Sequence, residues 1–228
     1  MPNDILFIGA VVINLLLILG SFQFGRAGLI LAITTNLILV STFASKLISV
    51  FGLLSNIGNI FYGSLFLGTN LLIERYGTRA AYSAVWLAFC GNTLFIVMGQ
   101  FGLRFAGDAT STSTNEAITT LFSNTPRLAL ASILAYIIVQ HFNVWFYSSL
   151  KKYTGEGWLW LRHTASLSLS QLFDSIIFFS VAFYGIVSTG TLLGVMVTGF
   201  LLKVCIGFAS IPLMYVAQHM SAEESNDD

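Results

Sequence analysis

Charged side chains are scarce in this chain: ten bases and ten acids, 9% of 228 residues. A water-soluble domain carries about 25%. Twenty ionisable groups cannot wet the surface of a 24.9 kDa globule, so a soluble fold is excluded and the solvent for most of the surface is lipid. The net charge is zero, which leaves neither a basic face for nucleic acid nor a polybasic tail. Only two cysteines occur, Cys90 and Cys205. Each sits inside an apolar run with no Cys or His at metal-ligand spacing, so neither a disulfide nor a metal site is expected, and both are expected as small core residues. The three histidines are scattered and give no convincing base–nucleophile pair. The chain also lacks a phosphate-binding GxxxxGK loop, a zinc-binding HExxH helix and a GxSxG nucleophile elbow. No enzyme and no cofactor are expected.

What the chain does have is long apolar runs, with 56% hydrophobic residues and a mean hydropathy of +0.82. A helix needs about 20 mainly apolar residues to cross about 30 Å of hydrocarbon. Seven stretches suit: 5–22, 28–50, 57–74, 80–102, 127–149, 164–187 and 190–218. The first is a retained helix rather than a signal peptide, because Asp4 stands where a basic segment would be and no small-residue cleavage motif follows. The third, rich in Gly, Asn and Ser, reads either as a tightly packed inner helix or as a broken one. Pro126 suits a helix start, and Pro212 should kink the last span. With seven crossings, Arg26, Arg75, Arg79, Lys151, Lys152 and Arg162 fall on one side, opposite Arg104 and Arg127. That sorting places the N-terminus outside and the C-terminus in the cytoplasm. Trp158 and Trp160 beside Arg162 read as an interfacial belt. The tail 220–228 is acidic and expected to be disordered.

An ionisable group inside a span needs an explanation, because it costs at least a few kcal/mol at mid-bilayer. Asp174 lies near the centre of the sixth span with Gln171 and Phe178 on the same helical face. That face is both polar and aromatic, as a pocket wall would be. Lys203 lies at similar depth in the seventh span. The two make either an internal ion pair that locks two helices or a site that meets a polar solute, and the readings are compatible. Glu74 ends the third span one turn after Asn70, with Arg75 and Arg79 next to it as partners for an interfacial pair. Lys46, toward the outer end of the second span, is placed to snorkel. His141, Asn143 and Trp145 cluster in the fifth span, where a lone His or Asn more often makes an interhelical hydrogen bond.

These motifs resemble a known family, the queuosine-precursor transporters of the vitamin uptake transporter group. The resemblance runs over residues 30–218, through ASKLISVFG (44–52), TNLLIERYGTRAA (69–81), NTPRLALASILAY (124–136) and NVWFYSSLKKYTGEGWLWLRHTASLSLSQLFDSIIFF (143–179), then a last span with Lys203 and Pro212. It implies import of 7-deazaguanine precursors of a tRNA nucleoside, such as preQ0 and preQ1. It also implies an all-α transmembrane bundle of six core helices (28–219) similar to the substrate-binding subunits of energy-coupling-factor transporters. Residues 1–27 then form an extra N-terminal transmembrane helix. The chain departs from the family pattern at Asn70 and Asn143, where Asp is frequent, and this bears on the ligand more than on the fold.

A deazaguanine edge offers adjacent N–H donors beside a carbonyl, which a carboxylate and a lysine or glutamine amide can read. Aromatic rings stack on its flat face. The expected substrate site is therefore Asp174, Gln171, Lys203 and Phe178, with Glu74, Asn70 and Tyr62 as a second wall, Asn143 as a further candidate and loop 103–126 as an outer lid. The partners implied are a deazapurine-like small molecule and the lipid bilayer of the cytoplasmic (inner) membrane, which the chain crosses several times. Carriage of another vitamin-like or nucleobase compound, or a non-transporting structural subunit, are the alternatives. Facilitated, ion-coupled and partner-driven passage, and a homo-oligomer, all stay open.

Overall fold

Helix formation follows from the solvent: in hydrocarbon each backbone N–H and C=O must find its partner within its own segment. The computed structural model describes residues 3–44, 46–123, 126–155, 157–186 and 188–220. The helices are α1 (Asn3–Ser21), α2 (Gly25–Phe43), α3 (Gly58–Gly102), α4 (Thr112–Phe122), α5 (Pro126–Thr154), α6 (Leu159–Phe183), α7 (Thr189–Ala209) and α8 (Ile211–Gln218). A short antiparallel hairpin, β1 (Leu47–Val50) and β2 (Leu53–Asn56), joins α2 to α3. The tail from residue 221 onward and the side chain of Arg127 lie outside the described parts.

Five helical stretches are long and apolar enough to cross a membrane, and two of them, Asn3–Phe43 and Gly58–Gly102, exceed 40 residues. At about 1.5 Å per residue these would reach roughly 60 Å or more if straight, about twice the hydrocarbon thickness. Neither is straight. Gly25 (φ 65°, ψ −151°) and Gly77 (φ 81°, ψ 173°) take conformations that L-residues avoid. On either side the chain folds back on itself. Asn14 donates to Asn36 across the first turn at 2.8 Å. In α3 a Cβ at Gly68 would meet Ile33, and one at Gly91 would meet Thr34, so both arms run beside α2 in opposite directions. Within the described residues each of these two stretches is therefore a pair of antiparallel arms.

Three details correct the sequence reading. The second span stops at Phe43 rather than at 50, because residues 47–56 pair as strands. Lys46 is thus an exposed residue at the hairpin base and not a lysine snorkelling from a helix. Cys90 and Cys205 are exposed on the bundle surface rather than buried in the core. The third span is an unbroken, almost wholly buried arm of α3. The last span breaks at Ser210, with Pro212 in the first turn of α8.

The two ends of the bundle differ. Asn3 and Asp4 bond to Ser49 and Phe51 of the hairpin at 3.2 and 2.6 Å, so the N-terminus and the hairpin share one end. The turns at Gly25 and Gly77, the α5–α6 connection and the end of α8 lie at the other, and Arg26, Arg75, Arg79, Lys151, Lys152 and Arg162 gather there.

Candidate functional site

Two buried polar clusters occupy the bundle, one above the other. The first is built on consecutive antiparallel helices. Asp174 of α6 and Lys203 of α7 come level and Lys203 Nζ donates to Asp174 Oδ2. Both are nearly inaccessible, and the ammonium also lies 4.9 Å from the centroid of the Tyr62 ring, within cation–π range. Burying two charges costs free energy that their mutual attraction need not repay, so the pair is weak evidence of stability.

The pair faces a chamber. A cavity of about 70 Å³ is lined by Asp174, Lys203, Tyr62, Tyr136, Asn59 and Asn92, with Phe178 and Phe179 as its aromatic wall. It shares Ser41, Asn59, Phe178 and Phe179 as lining with a larger one of about 210 Å³, which reaches Leu47 and Ser55 of the hairpin and Leu121 and Phe122 of α4. The chamber thus leads toward the N-terminal end. Phe178 and Phe179 stand edge to face, centroids 5.2 Å apart, and Ser41 Oγ donates to Asn92 at 2.8 Å. A flat solute with a polar edge finds here a carboxylate, an ammonium, amides and aromatic faces together.

The second cluster lies toward the basic end. Glu74 takes Arg162 Nε at 2.7 Å and Nη2 at 3.1 Å, one on each carboxylate oxygen. Tyr147 donates to it at 2.7 Å and Lys151 Nζ approaches to 3.1 Å. Arg162, 1% exposed, spends Nη1 on Thr154 Oγ1 and on the carbonyls of Gly155 and Gly157. The clasp ties α3, α5 and α6 together at this end. One turn above it, Asn143 Nδ2 donates to Asn70 Oδ1 at 3.0 Å, while Asn70 Nδ2 meets His163 Nδ1 at 2.9 Å and His163 Nε2 meets Ser210 at 2.8 Å.

Of the residues expected from sequence, Asp174, Lys203, Phe178 and Tyr62 come together at the chamber. Gln171 is fully buried but is not among the chamber's lining residues. Glu74, Asn70 and Asn143 lie in the second cluster, so they are not a wall of the same cavity. Glu74 pairs with Arg162 and Lys151 rather than with Arg75 or Arg79, and Arg162 points inward instead of belonging to the tryptophan belt. His141 bonds to the Ile137 carbonyl of its own helix at 2.8 Å and packs on Tyr82 and Trp86. Sequence reasoning missed Asn59, Asn92 and Tyr136. A signal existed for two of them, since Asn59, Tyr62, Phe66, Asn70 and Glu74 on α3, and Tyr136, Gln140, Asn143 and Tyr147 on α5, recur at three- and four-residue steps. Asn92 had none, because its partner Ser41 is remote in sequence.

Comparison with known proteins adds to this geometry. The family described as "Putative vitamin uptake transporter" matches residues 56–217. A protein of Bacillus subtilis (strain 168) named "Probable queuosine precursor transporter" is 33% identical over 222 residues, 96% of each chain. A protein of Haemophilus influenzae with the same name is 25% identical over 130 residues, 56% of this chain and 51% of that one. No solved structure matches.

Proposed function

The chain belongs to the vitamin uptake transporter family, a family of membrane transporters and not of enzymes, and from that premise we propose that it imports queuosine precursors of the 7-deazaguanine class through the Asp174 chamber. The observation that carries the reading is the buried Asp174–Lys203 pair opening onto an aromatic-walled cavity. A deazaguanine presents adjacent N–H donors to a carboxylate, and its carbonyl accepts from an ammonium. The solute replaces part of the hydrogen bonding that Asp174 and Lys203 now give each other, so exchange of partners limits the cost of entry. Tyr62, Phe178 and Phe179 supply faces for its ring, with stacking worth about 1–3 kcal/mol for bases.

Direction follows from charge. The basic end is cytoplasmic by the positive-inside rule, which turns the chamber outward and puts the clasp of Glu74 and Arg162 on the inner side. Gln100 Nε2 holds the Phe122 carbonyl at 2.6 Å, so α4 sits at the outer mouth as a lid.

The test is restoration of queuosine in the tRNA of a host that can neither make nor import the precursors but still inserts them. Fed preQ0 or preQ1 at low concentration, cells expressing the intact chain should gain queuosine, and cells with Asp174→Ala at equal membrane abundance should not. Queuosine absent from both, with the protein correctly inserted, would move the substrate to another small heterocycle.

A further inference from the structure

Between the chamber and the clasp lies a band of side chains whose hydrogen bonding is unfinished. Two levels of the bundle are fixed by contacts. Tyr62 of α3 and Tyr136 of α5 accompany Asp174 at the chamber, and Asn70 and Asn143 join His163 further in. From Tyr62 to Asn70 the axis advances roughly 12 Å at about 1.5 Å per residue. Along each helix the residues between these anchors occupy an intermediate level, and on α5 and α6 they include Gln140, Ser170 and Gln171. All three are fully buried. Thr69 Oγ1, whose hydroxyl also reaches the Leu65 carbonyl at 3.1 Å, lies 3.3 Å from Gln140 Oε1. Among the described residues Gln140 Nε2 has no partner, nor does either amide atom of Gln171, nor Ser170 Oγ, nor, just below, Asn143 Oδ1.

Buried polar atoms are almost always paired, and a cluster that is not requires an explanation. Here the unpaired atoms include donors and acceptors from three carboxamides. A carboxamide sets an N–H and a C=O in one plane, the complement of a lactam or amide-like edge. We propose that this band is a second, inner station for the solute, distinct from the chamber and made for a flat heterocycle whose edge carries an N–H beside a carbonyl. The proposal rests on the reading that the chamber admits such a solute.

The station contains no charge of its own, whereas the chamber has two. Charge-assisted hydrogen bonds are roughly twice as strong as neutral ones, so the solute is captured at the chamber and held more loosely at the station. Passage requires sites weak enough to leave. The clasp of Glu74, Arg162 and Tyr147 forms the floor, and the solute leaves the station when the clasp parts.

The experiment uses the full chain and tritiated preQ0, with preQ1 in a parallel series. Binding is measured on purified protein in detergent and uptake in proteoliposomes, for the wild type and for Gln140→Leu, Gln171→Leu and the pair. Leucine removes unpaired polar atoms and keeps approximate volume, so melting temperatures should hold or rise. Binding affinity and the half-saturating concentration for uptake should stay within about twofold, because the chamber sets them. Maximal uptake should fall at least about tenfold in the double variant, a loss of about 1.4 kcal/mol, and Gln171→Asn should retain most of it. Wild-type uptake by the double leucine variant overturns the station and leaves the chamber reading standing. Loss of binding along with uptake makes the band part of a single site and also overturns a separate station. Failure of the wild type to bind either probe overturns the chamber reading and the station with it.

Discussion

The clasp at the basic end gives the sharpest energetic prediction. Glu74→Gln keeps the shape of the side chain and an acceptor for Tyr147, but leaves Arg162, 1% exposed, as an uncompensated buried cation. Removing one member of a buried pair costs about 3–5 kcal/mol. Arg162 retains Thr154 Oγ1 and two carbonyls, which puts the loss near the lower figure, about 3 kcal/mol. Arg162→Met should cost less, about 2 kcal/mol, because Glu74 keeps Lys151 and Tyr147 and is 15% exposed. Making both changes removes the carboxylate and the buried guanidinium together, leaving neutral groups of similar size beside Lys151, whose ammonium is 32% exposed and can turn to water. The double variant should then lose only about 2 kcal/mol rather than about 5, a coupling of about 3 kcal/mol. The assay is unfolding in mixed micelles as the denaturing detergent fraction is raised, followed by helical circular dichroism. Additive losses of about 5 kcal/mol in the double variant would show that the two residues do not act as a unit, and the clasp would lose its place as the inner closure.

Two further outcomes separate structural from functional roles. Exchanging the members of the first pair, Asp174→Lys with Lys203→Asp, should restore folding relative to either single change, by the same micelle assay, but not queuosine in the tRNA test. Recovery of both would reduce the pair to a helix lock. Gly77→Ala should destabilise by about 1–3 kcal/mol through the backbone alone, since φ is 81° and a Cβ there meets nothing within 4 Å; an unchanged unfolding midpoint would show that the turn tolerates another conformation.

The sequence made much of this legible because lipid is an unforgiving solvent. With so few charges, each one within an apolar run marks either an end or a site, and Asp174 and Lys203 could be placed at equal depth from their positions alone. The turns between arms were also readable, being marked by the bases that cannot enter hydrocarbon. Depth along the axis, however, is not partnership. Glu74 stands beside Arg75 and Arg79 in sequence, yet the helix turns those neighbours away and the partner comes from α6. That pairing was latent in a different signal: Arg162, Ser166, Ser170 and Asp174 recur every four residues and share one face. Such a stripe states that an arginine belongs to the interior, while a pair of nearby tryptophans suggests only that the interface is close. The hairpin at 47–56 was hidden for a related reason. Leu-Ile-Ser-Val and Leu-Leu-Ser-Asn are apolar enough to extend a span, and hydropathy does not separate a strand from a helix over so short a run. What distinguishes them is the Phe51–Gly52 turn, with both residues at positive φ. A Gly between two short β-branched or leucine-rich runs is a turn signal, and it was outweighed by hydropathy. The residues that hydropathy ranked highest therefore built the frame. Those it ranked as exceptions, taken as helical stripes rather than one by one, trace a polar line from Asp174 through Gln171 and His163 to Glu74, the path we propose for a polar solute.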